Sequence, residues 1–238
     1  MQASESSAPR FTASLTIVIP VLNEGELVGG VLASLTAYRR RGVEVIVVDG
    51  GSADGTSEIA AGDAGADQVI AAPRGRARQM NAGAAAAHAP LLLFLHADSR
   101  LPEDADALIL DGLAASGVEW GHFDVRIQGN SRWLPVIARL MNLRSRVTGI
   151  ATGDQAIFVT RQAFDALGGF PDQPLMEDVE FSSRLLRRGP PLRLVAPVIT
   201  SGRRWDTRGV MRTIILMWWV RLLYFFEVAP ERLARLYQ

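Results

Sequence analysis

The chain of 238 residues has no cysteine, no lysine and no net charge: its 25 basic residues, all arginine, balance 25 acidic ones. Lacking thiols, it has no disulfides and no thiolate-bound zinc, and redox chemistry does not fix its compartment. With no bulk charge of either sign, composition does not point to nucleic acid or an anionic membrane as a partner. The exclusive use of arginine fits a GC-rich genome or selection for phosphate recognition by the guanidinium fork. A bilayer-crossing run is also missing. From 210 to 226 nearly every residue is apolar, but Arg212 and Arg221 interrupt the stretch, leaving it too short to span. Nine residues at about 100° each put those arginines on opposite faces, so the segment is not cleanly amphipathic. Residues 210–238 therefore read as a helical appendage with three candidate settings. It packs on the domain, joins a homodimer, or rests at a membrane surface with Trp218, Trp219 and Tyr224 near the headgroups. Residues 1–13 are small and polar, which predicts a loose tail and a cytoplasmic chain, peripheral to the inner face of the membrane if 210–226 touches it.

What is present is a series of short buried-strand patterns. At 48% hydrophobic and 21% charged, the chain has enough apolar residues for one large domain, placed at 14–209. Its first half is about 14–100 and its second about 101–209. The run Leu15-Thr16-Ile17-Val18-Ile19-Pro20 stops at Val21-Leu22-Asn23-Glu24, and Val43-Glu44-Val45-Ile46-Val47-Val48 stops at Asp49-Gly50-Gly51-Ser52. Both are strands ended by turn chemistry. Between them Leu27, Val28, Val31, Leu32 and Leu35 recur at helical spacing up to Arg39-Arg40-Arg41. Strand-helix-strand units build parallel sheets, with ligands beyond the carboxyl ends of the strands, where Asn23, Glu24 and Asp49 project.

The pattern repeats with a helix at 56–64, a weak strand at 68–71 and the loop Pro73-Arg74-Gly75-Arg76-Ala77-Arg78-Gln79. That loop is a solvated helix entry or a pyrophosphate clamp. Leu91-Leu92-Leu93-Phe94-Leu95 looks like a central parallel strand and ends in His96-Ala97-Asp98. Asp98 is thus the third acid directly after a buried strand. Carboxylates in such a ring, with diphosphate oxygens, suit Mg²⁺ or Mn²⁺, and His96 would favour Mn²⁺ if it pointed the same way. Farther on come strands at 121–127 and 155–159 around a basic, aromatic helix at 132–146. A Gly168-Gly169-Phe170-Pro171 turn then leads into a helix opened by Glu177-Asp178. First-turn acids are ordinary dipole partners, but here a glycine-rich turn delivers them.

Together these motifs resemble glycosyltransferase family 2, inverting enzymes with the GT-A nucleotide-binding fold, over about 15–205. The pair Ile19-Pro20-Val21-Leu22-Asn23-Glu24 and Val47-Val48-Asp49-Gly50-Gly51-Ser52-Ala53-Asp54-Gly55-Thr56 carries most of the resemblance. The compact length, His-Ala-Asp form and arginine-rich loop are most similar to small bacterial members labelled as arsenosugar-biosynthesis glycosyltransferases. The resemblance implies an α/β GT-A fold with a mostly parallel sheet. It also implies a nucleotide-diphosphate sugar as donor, UDP-linked first, and Mn²⁺ or Mg²⁺ as cofactor. Pro20 and Glu24 would line the nucleoside, Asp49 would bind the base, Asp98 would contact ribose or metal, and Asp178 would be the catalytic base, with Glu177 beside it. Asn23, Gly50, Ser52, Arg74, Arg76 and Gln79 complete the expected nucleotide site, His96 and Asp98 the metal site, and Asp154, Arg204 and Trp205 the acceptor side.

Three positions depart from the family pattern. His96-Ala97-Asp98 replaces Asp-x-Asp, Met80-Asn81-Ala82-Gly83 replaces Arg-Asn-x-Gly, and Ser201 stands where processive synthases have the Gln of Gln-x-x-Arg-Trp. The last implies a single transfer to a small-molecule or lipid-linked acceptor. Two alternatives stay open, a lipid-phosphate transferase at the membrane surface and a non-catalytic nucleotide-binding scaffold. A dinucleotide oxidoreductase is disfavoured because the first strand lacks Gly-x-Gly-x-x-Gly.

Overall fold

A computed structural model describes residues 13–62, 65–226 and 228–237, so all but the last residue of the expected tail at 1–13 lies outside the described residues. The strands are β1 (Thr16–Val21), β2 (Glu44–Asp49), β3 (Gln68–Ala71), β4 (Leu91–Phe94), β5 (Ser99–Arg100), β6 (Trp120–Gln128), β7 (Phe158–Thr160) and β8 (Leu192–Ser201). They form one sheet in the order β3-β2-β1-β4-β7-β6-β8-β5. The helices are α1 (Gly25–Ser34), α2 (Thr36–Arg40), α3 (Thr56–Ala60), α4 (Arg76–Ala86), α5 (Ala105–Ser116), α6 (Leu134–Thr148), α7 (Arg161–Ala166), α8 (Glu177–Arg188), α9 (Arg203–Arg208), α10 (Val210–Phe225) and α11 (Pro230–Tyr237).

The first four strands of that order are parallel, as strand-helix-strand units require. β7 runs antiparallel to both β4 and β6, and the parallel pair β6 and β8 follows. Alternate residues of β1, β2 and β4 feed two cores. Ile17, Ile19, Val45, Val47 and Leu93 pack with Val28, Val31, Leu32 and Tyr38 of α1 and α2 on one face. Val18, Ile46, Val48, Leu92 and Phe94 pack with Met80 of α4, Phe164 of α7, and Phe181 and Leu185 of α8 on the other. α4 lies so close to the sheet that a Cβ on Gly83 would sit 2.3 Å from Val18 Cγ1. Only glycine fits there without displacing the helix. A third cluster joins Val125 and Ile127 of β6, Leu134, Ile137 and Ala138 of α6, and Trp205 of α9, with Met217 of α10 against it.

The structure corrects three details of the sequence reading. The helix after β1 divides at Leu35 into α1 and α2. The strand expected from 155 begins at Phe158, because Gln155 closes a 3₁₀ turn (Gly153–Gln155) and buries its amide against Phe123 O and Ser145 Oγ. β8 and α5 have no counterpart in the sequence reading. The apolar C-terminal stretch forms the 16-residue α10. No described helix is long and apolar enough to cross a membrane.

Candidate functional site

Two loops leave the carboxyl ends of β1 and β2 and are laced together. Asn23 N–H donates to Ser52 Oγ at 2.9 Å, and Ala53 N–H donates back to Asn23 Oδ1 at 2.9 Å. Glu24 N–H reaches Thr56 Oγ1 at 2.9 Å, and Gly25 N–H reaches Asp54 Oδ2 at 3.0 Å. Beneath them, Gln79 of α4 donates its amide to Val21 O at 2.7 Å and Val48 O at 2.9 Å, bridging the two strand ends. Asn23 and Gln79 thus use these side-chain groups to build the rim.

Asp49 closes β2 and is nearly buried. Burial alone would raise its carboxyl, but hydrogen bonds from Ser52 Oγ and N–H and from Ser57 Oγ outweigh that and hold it below the ordinary aspartate range. It is therefore a preorganised anion. Glu24 shifts the other way. Burial raises it against the pull of Arg203, whose guanidinium lies 3.6 Å away, and the Asp98 and Asp54 carboxylates add to the rise. Glu24 and Asp98 are thus electrostatic neighbours across the ends of β1 and β4, both partly accessible.

A second group gathers where α8 begins. Asn81 of α4 clamps the Gly169-Phe170 turn, donating Nδ2 to Phe170 O and accepting Phe170 N–H at Oδ1, both at 2.9 Å. That fixes the entry to α8. Asp178 then takes Gly153 N–H on Oδ2 and Val179 N–H on Oδ1, each at 2.7 Å. His96 points Nδ1 at Asp154 Oδ1, 3.3 Å away. Its Nε2 is buried with no hydrogen-bond partner among the described residues and faces Gly153. Arg76, at the start of α4, donates to Glu177 Oε1 at 3.2 Å. Arg76, Met80, Phe94, His96, Gly153 and Asp178 line one cleft.

Glu177 is only 2% exposed. Burial raises its carboxyl above the ordinary value, and neighbouring Asp178 adds to that rise while Arg76 opposes it. Burial lowers the Arg76 guanidinium, but the surrounding Glu177, Asp178 and Asp154 outweigh it and raise it. Glu177 is the more deeply buried partner of the pair, since Arg76 keeps about half its side chain in solvent. Three non-glycine residues with positive φ flank the site: Asn23 (53°), Ala156 (46°) and Met176 (64°). Such strain costs about 1–3 kcal/mol per residue and concentrates at functional sites.

The expected residues divide into those the cleft brings together and those it does not. Pro20, Glu24, Asp49, Gly50, Ser52 and Asp98 border the β1, β2 and β4 ends, while Arg76, His96, Asp154, Glu177 and Asp178 meet at α8. Arg74 is exposed on the loop, and Arg78 pairs with Asp172 at 2.8 Å. Trp205 is buried in the third core cluster, and the Arg204 side chain lies outside the described residues. No cluster of three or more His, Asp or Glu side chains among the described residues is arranged to hold a metal. A metal held by Asp98 would need diphosphate oxygens to complete its shell.

One residue of the site escaped the sequence reading. Arg144 projects from α6 towards Asp178 and Asp154, donating to Gln155 Oε1 at 3.3 Å, with Nε buried and unpartnered among the described residues. Burial lowers its guanidinium against both carboxylates. Its only sequence signal was a basic helix, which does not say which arginine turns inward.

Comparison with solved structures supports this architecture. S. aureus TarS residues 1–349, in complex with UDP-GlcNAc, superposes with a TM-score of 0.65 at 16% identity, covering 79% of this chain and 58% of that one. The mannosyltransferase PcManGT from Pyrobaculum calidifontis, in complex with GDP-Man and Mn²⁺, gives 0.64 at 23% identity, covering 90% and 61%. These likenesses establish the GT-A fold. An uncharacterized glycosyltransferase of Mycobacterium tuberculosis is 36% identical over 89 residues, which is 37% of this chain and 38% of that protein. The family model described as Glycosyl transferase family 2 matches residues 16–167, well over half the sequence, and the chain belongs to that family.

Proposed function

We propose that the chain is an inverting glycosyltransferase that moves one sugar from a nucleoside-diphosphate sugar to an acceptor hydroxyl, with Asp178 as general base. The observation that carries this reading is the placement of Asp178, at the first turn of α8 and on a cleft shared with Arg76 and His96. Backbone N–H groups fix both carboxylate oxygens yet leave each a lone pair for an acceptor proton. Arg76 supplies fixed positive charge beside the cleft, suited to the charge that grows on a departing diphosphate. Glu177 orients Arg76 through their hydrogen bond.

The donor lies across the β1, β2 and β4 ends, with Asp49 and Glu24 towards the nucleoside and Asp98 towards ribose and diphosphate. UDP is the first donor to test, and GDP the second, since the solved relatives bind UDP-GlcNAc and GDP-Man. A Mn²⁺ or Mg²⁺ ion, when bound through Asp98 and the diphosphate, would neutralise charge on the leaving group. Ser201, which accepts Arg203 N–H at 3.2 Å and closes the turn into α9, stands where processive synthases have glutamine, and that replacement supports a single transfer.

The test starts with thermal shifts against UDP, GDP, CDP, dTDP and NAD, with and without Mn²⁺ or Mg²⁺. A shift with one nucleoside diphosphate supports the reading, and a shift with NAD alone or with nothing overturns it. Asp178→Asn then separates enzyme from scaffold. It should bind the nucleotide sugar like the parent and lose turnover by at least about 100-fold, within the usual range for a general base.

A further inference from the structure

The outer face of α6 carries an apolar stripe that none of the described residues covers. Trp133 just before the helix, and Val136, Leu140, Leu143 and Val147 within it, are 42–76% exposed. Their spacings of three, four, three and four residues put them on one arc at about 100° per residue. The opposite face, Leu134, Ile137 and Ala138, is already buried in the third core cluster. The stripe is therefore a second apolar face on one helix.

Charge distinguishes the occupants. From 131 to 148 the chain has four arginines and no acid, although the whole protein is neutral. Arg132, Arg139 and Arg146 recur every seven residues, all exposed, and form a row along one edge of the stripe. Of these, Arg146 is paired with Asp124 of β6. A second copy of this helix would set like charges beside one another along such a seam, with no glutamate to complement them. An anionic lipid surface complements the row and takes up the apolar stripe, with the tryptophan at headgroup depth.

α10 carries exposed apolar residues of its own. Its Met217 packs against the cluster that α6 buries, while Trp219 and Leu222 within it, and Phe226 just after it, stay exposed at spacings of three and four. We propose that the α6 face docks the protein on anionic membranes. The position of Arg144 gives the docking a consequence. It turns from the other flank of the stripe towards Asp178, so a lipid-linked acceptor would arrive beside the base. That consequence rests on the proposed transfer, whereas the docking itself does not.

The full chain is tested by sedimentation with large unilamellar vesicles of phosphatidylcholine alone and of phosphatidylcholine with phosphatidylglycerol. Expected is partitioning to the anionic vesicles that weakens in high salt. Leu140→Ser with Leu143→Ser should lower it at least about tenfold, from the lost apolar burial. Arg132→Gln with Arg139→Gln should cost roughly fivefold per arginine on anionic vesicles alone. Light scattering and circular dichroism show that each variant remains a folded species of parental size. Lack of binding to anionic vesicles, equal binding by the leucine variant, or a dimer that this variant converts to monomer would each overturn the proposal. Nucleotide thermal shifts of the same variants should be unchanged, so failed docking and a failed transferase reading give different results.

Discussion

Replacing Gly153 by alanine tests how the site around Asp178 is held. A Cβ there would lie 2.4 Å from His96 Nε2 and 2.5 Å from Cε1, about 1 Å short of ordinary contact. Either the His96 ring or the 3₁₀ turn must move. The turn is tied by Gly153 N–H to Asp178 Oδ2 at 2.7 Å, a charge-assisted bond of about 1.5–3 kcal/mol. The ring is tied by one contact of 3.3 Å to a 39% exposed Asp154 side chain, worth at most about 1 kcal/mol. The ring should yield first, and overpacking of this kind costs about 1–3 kcal/mol. The assay is urea unfolding of four proteins: the parent, Gly153→Ala, His96→Ala and the double variant. Gly153→Ala alone should lose about 1–3 kcal/mol, and in the His96→Ala background it should lose almost nothing, a coupling of the same size. If the two losses simply add, His96 does not oppose that Cβ and the packing argument fails.

Other variants probe charge and strand-end geometry. Glu177→Gln should stabilise the fold at neutral pH. The raised carboxyl contributes stability that is full below the ordinary 4.5 and lost as pH climbs through the folded value, so the advantage of glutamine should grow across that window in urea melts. Asp49→Asn should do the reverse, since a depressed carboxyl contributes stability above the ordinary 3.8 that is lost as pH falls through the folded value. Its destabilisation, measured by unfolding at neutral pH, should shrink in acid. Gln79→Leu removes two buried amide bonds between the β1 and β2 ends and should cost roughly 1–3 kcal/mol. It should also weaken the nucleotide thermal shift.

The first half of the fold was legible because each strand declares itself locally. Continuous apolar runs at β1, β2 and β4 end in Asn-Glu, Asp-Gly and His-Ala-Asp, so a residue's place at the strand edge could be read from its neighbours. β8 was hidden by its own irregularity. It holds Pro197, an unfavourable strand residue, and its register against β6 shifts between Phe123 and Asp124, so no clean alternation survives in the sequence. Trp205 was read for the acceptor side from a motif and is found on α9 packed into the third core cluster, because an aromatic side chain in a signature carries no sign of which way it faces.

The least legible contacts are those made across the sheet. Sequence spacing marks Asp178 and Glu177 as first-turn acids, but it says nothing of Gly153, 25 positions away, whose N–H fixes one oxygen of Asp178. Nor does it show that Arg76, itself read from the sequence, pairs with Glu177, 101 positions distant. Arg144 is the sharpest case, since four arginines share one stretch and only helix phase separates the one turned towards Asp178 from those along the outer face. Phase depends on which face the tertiary core buries. In α6 that face is fixed by Leu134, Ile137 and Ala138 meeting β6, a strand that precedes the helix, and by Trp205, which follows it by more than fifty residues. The same burial that aims Arg144 at Asp178 leaves Leu140 and Leu143 in solvent, so one packing decision sets both the inward course of Arg144 and the character of the outer surface.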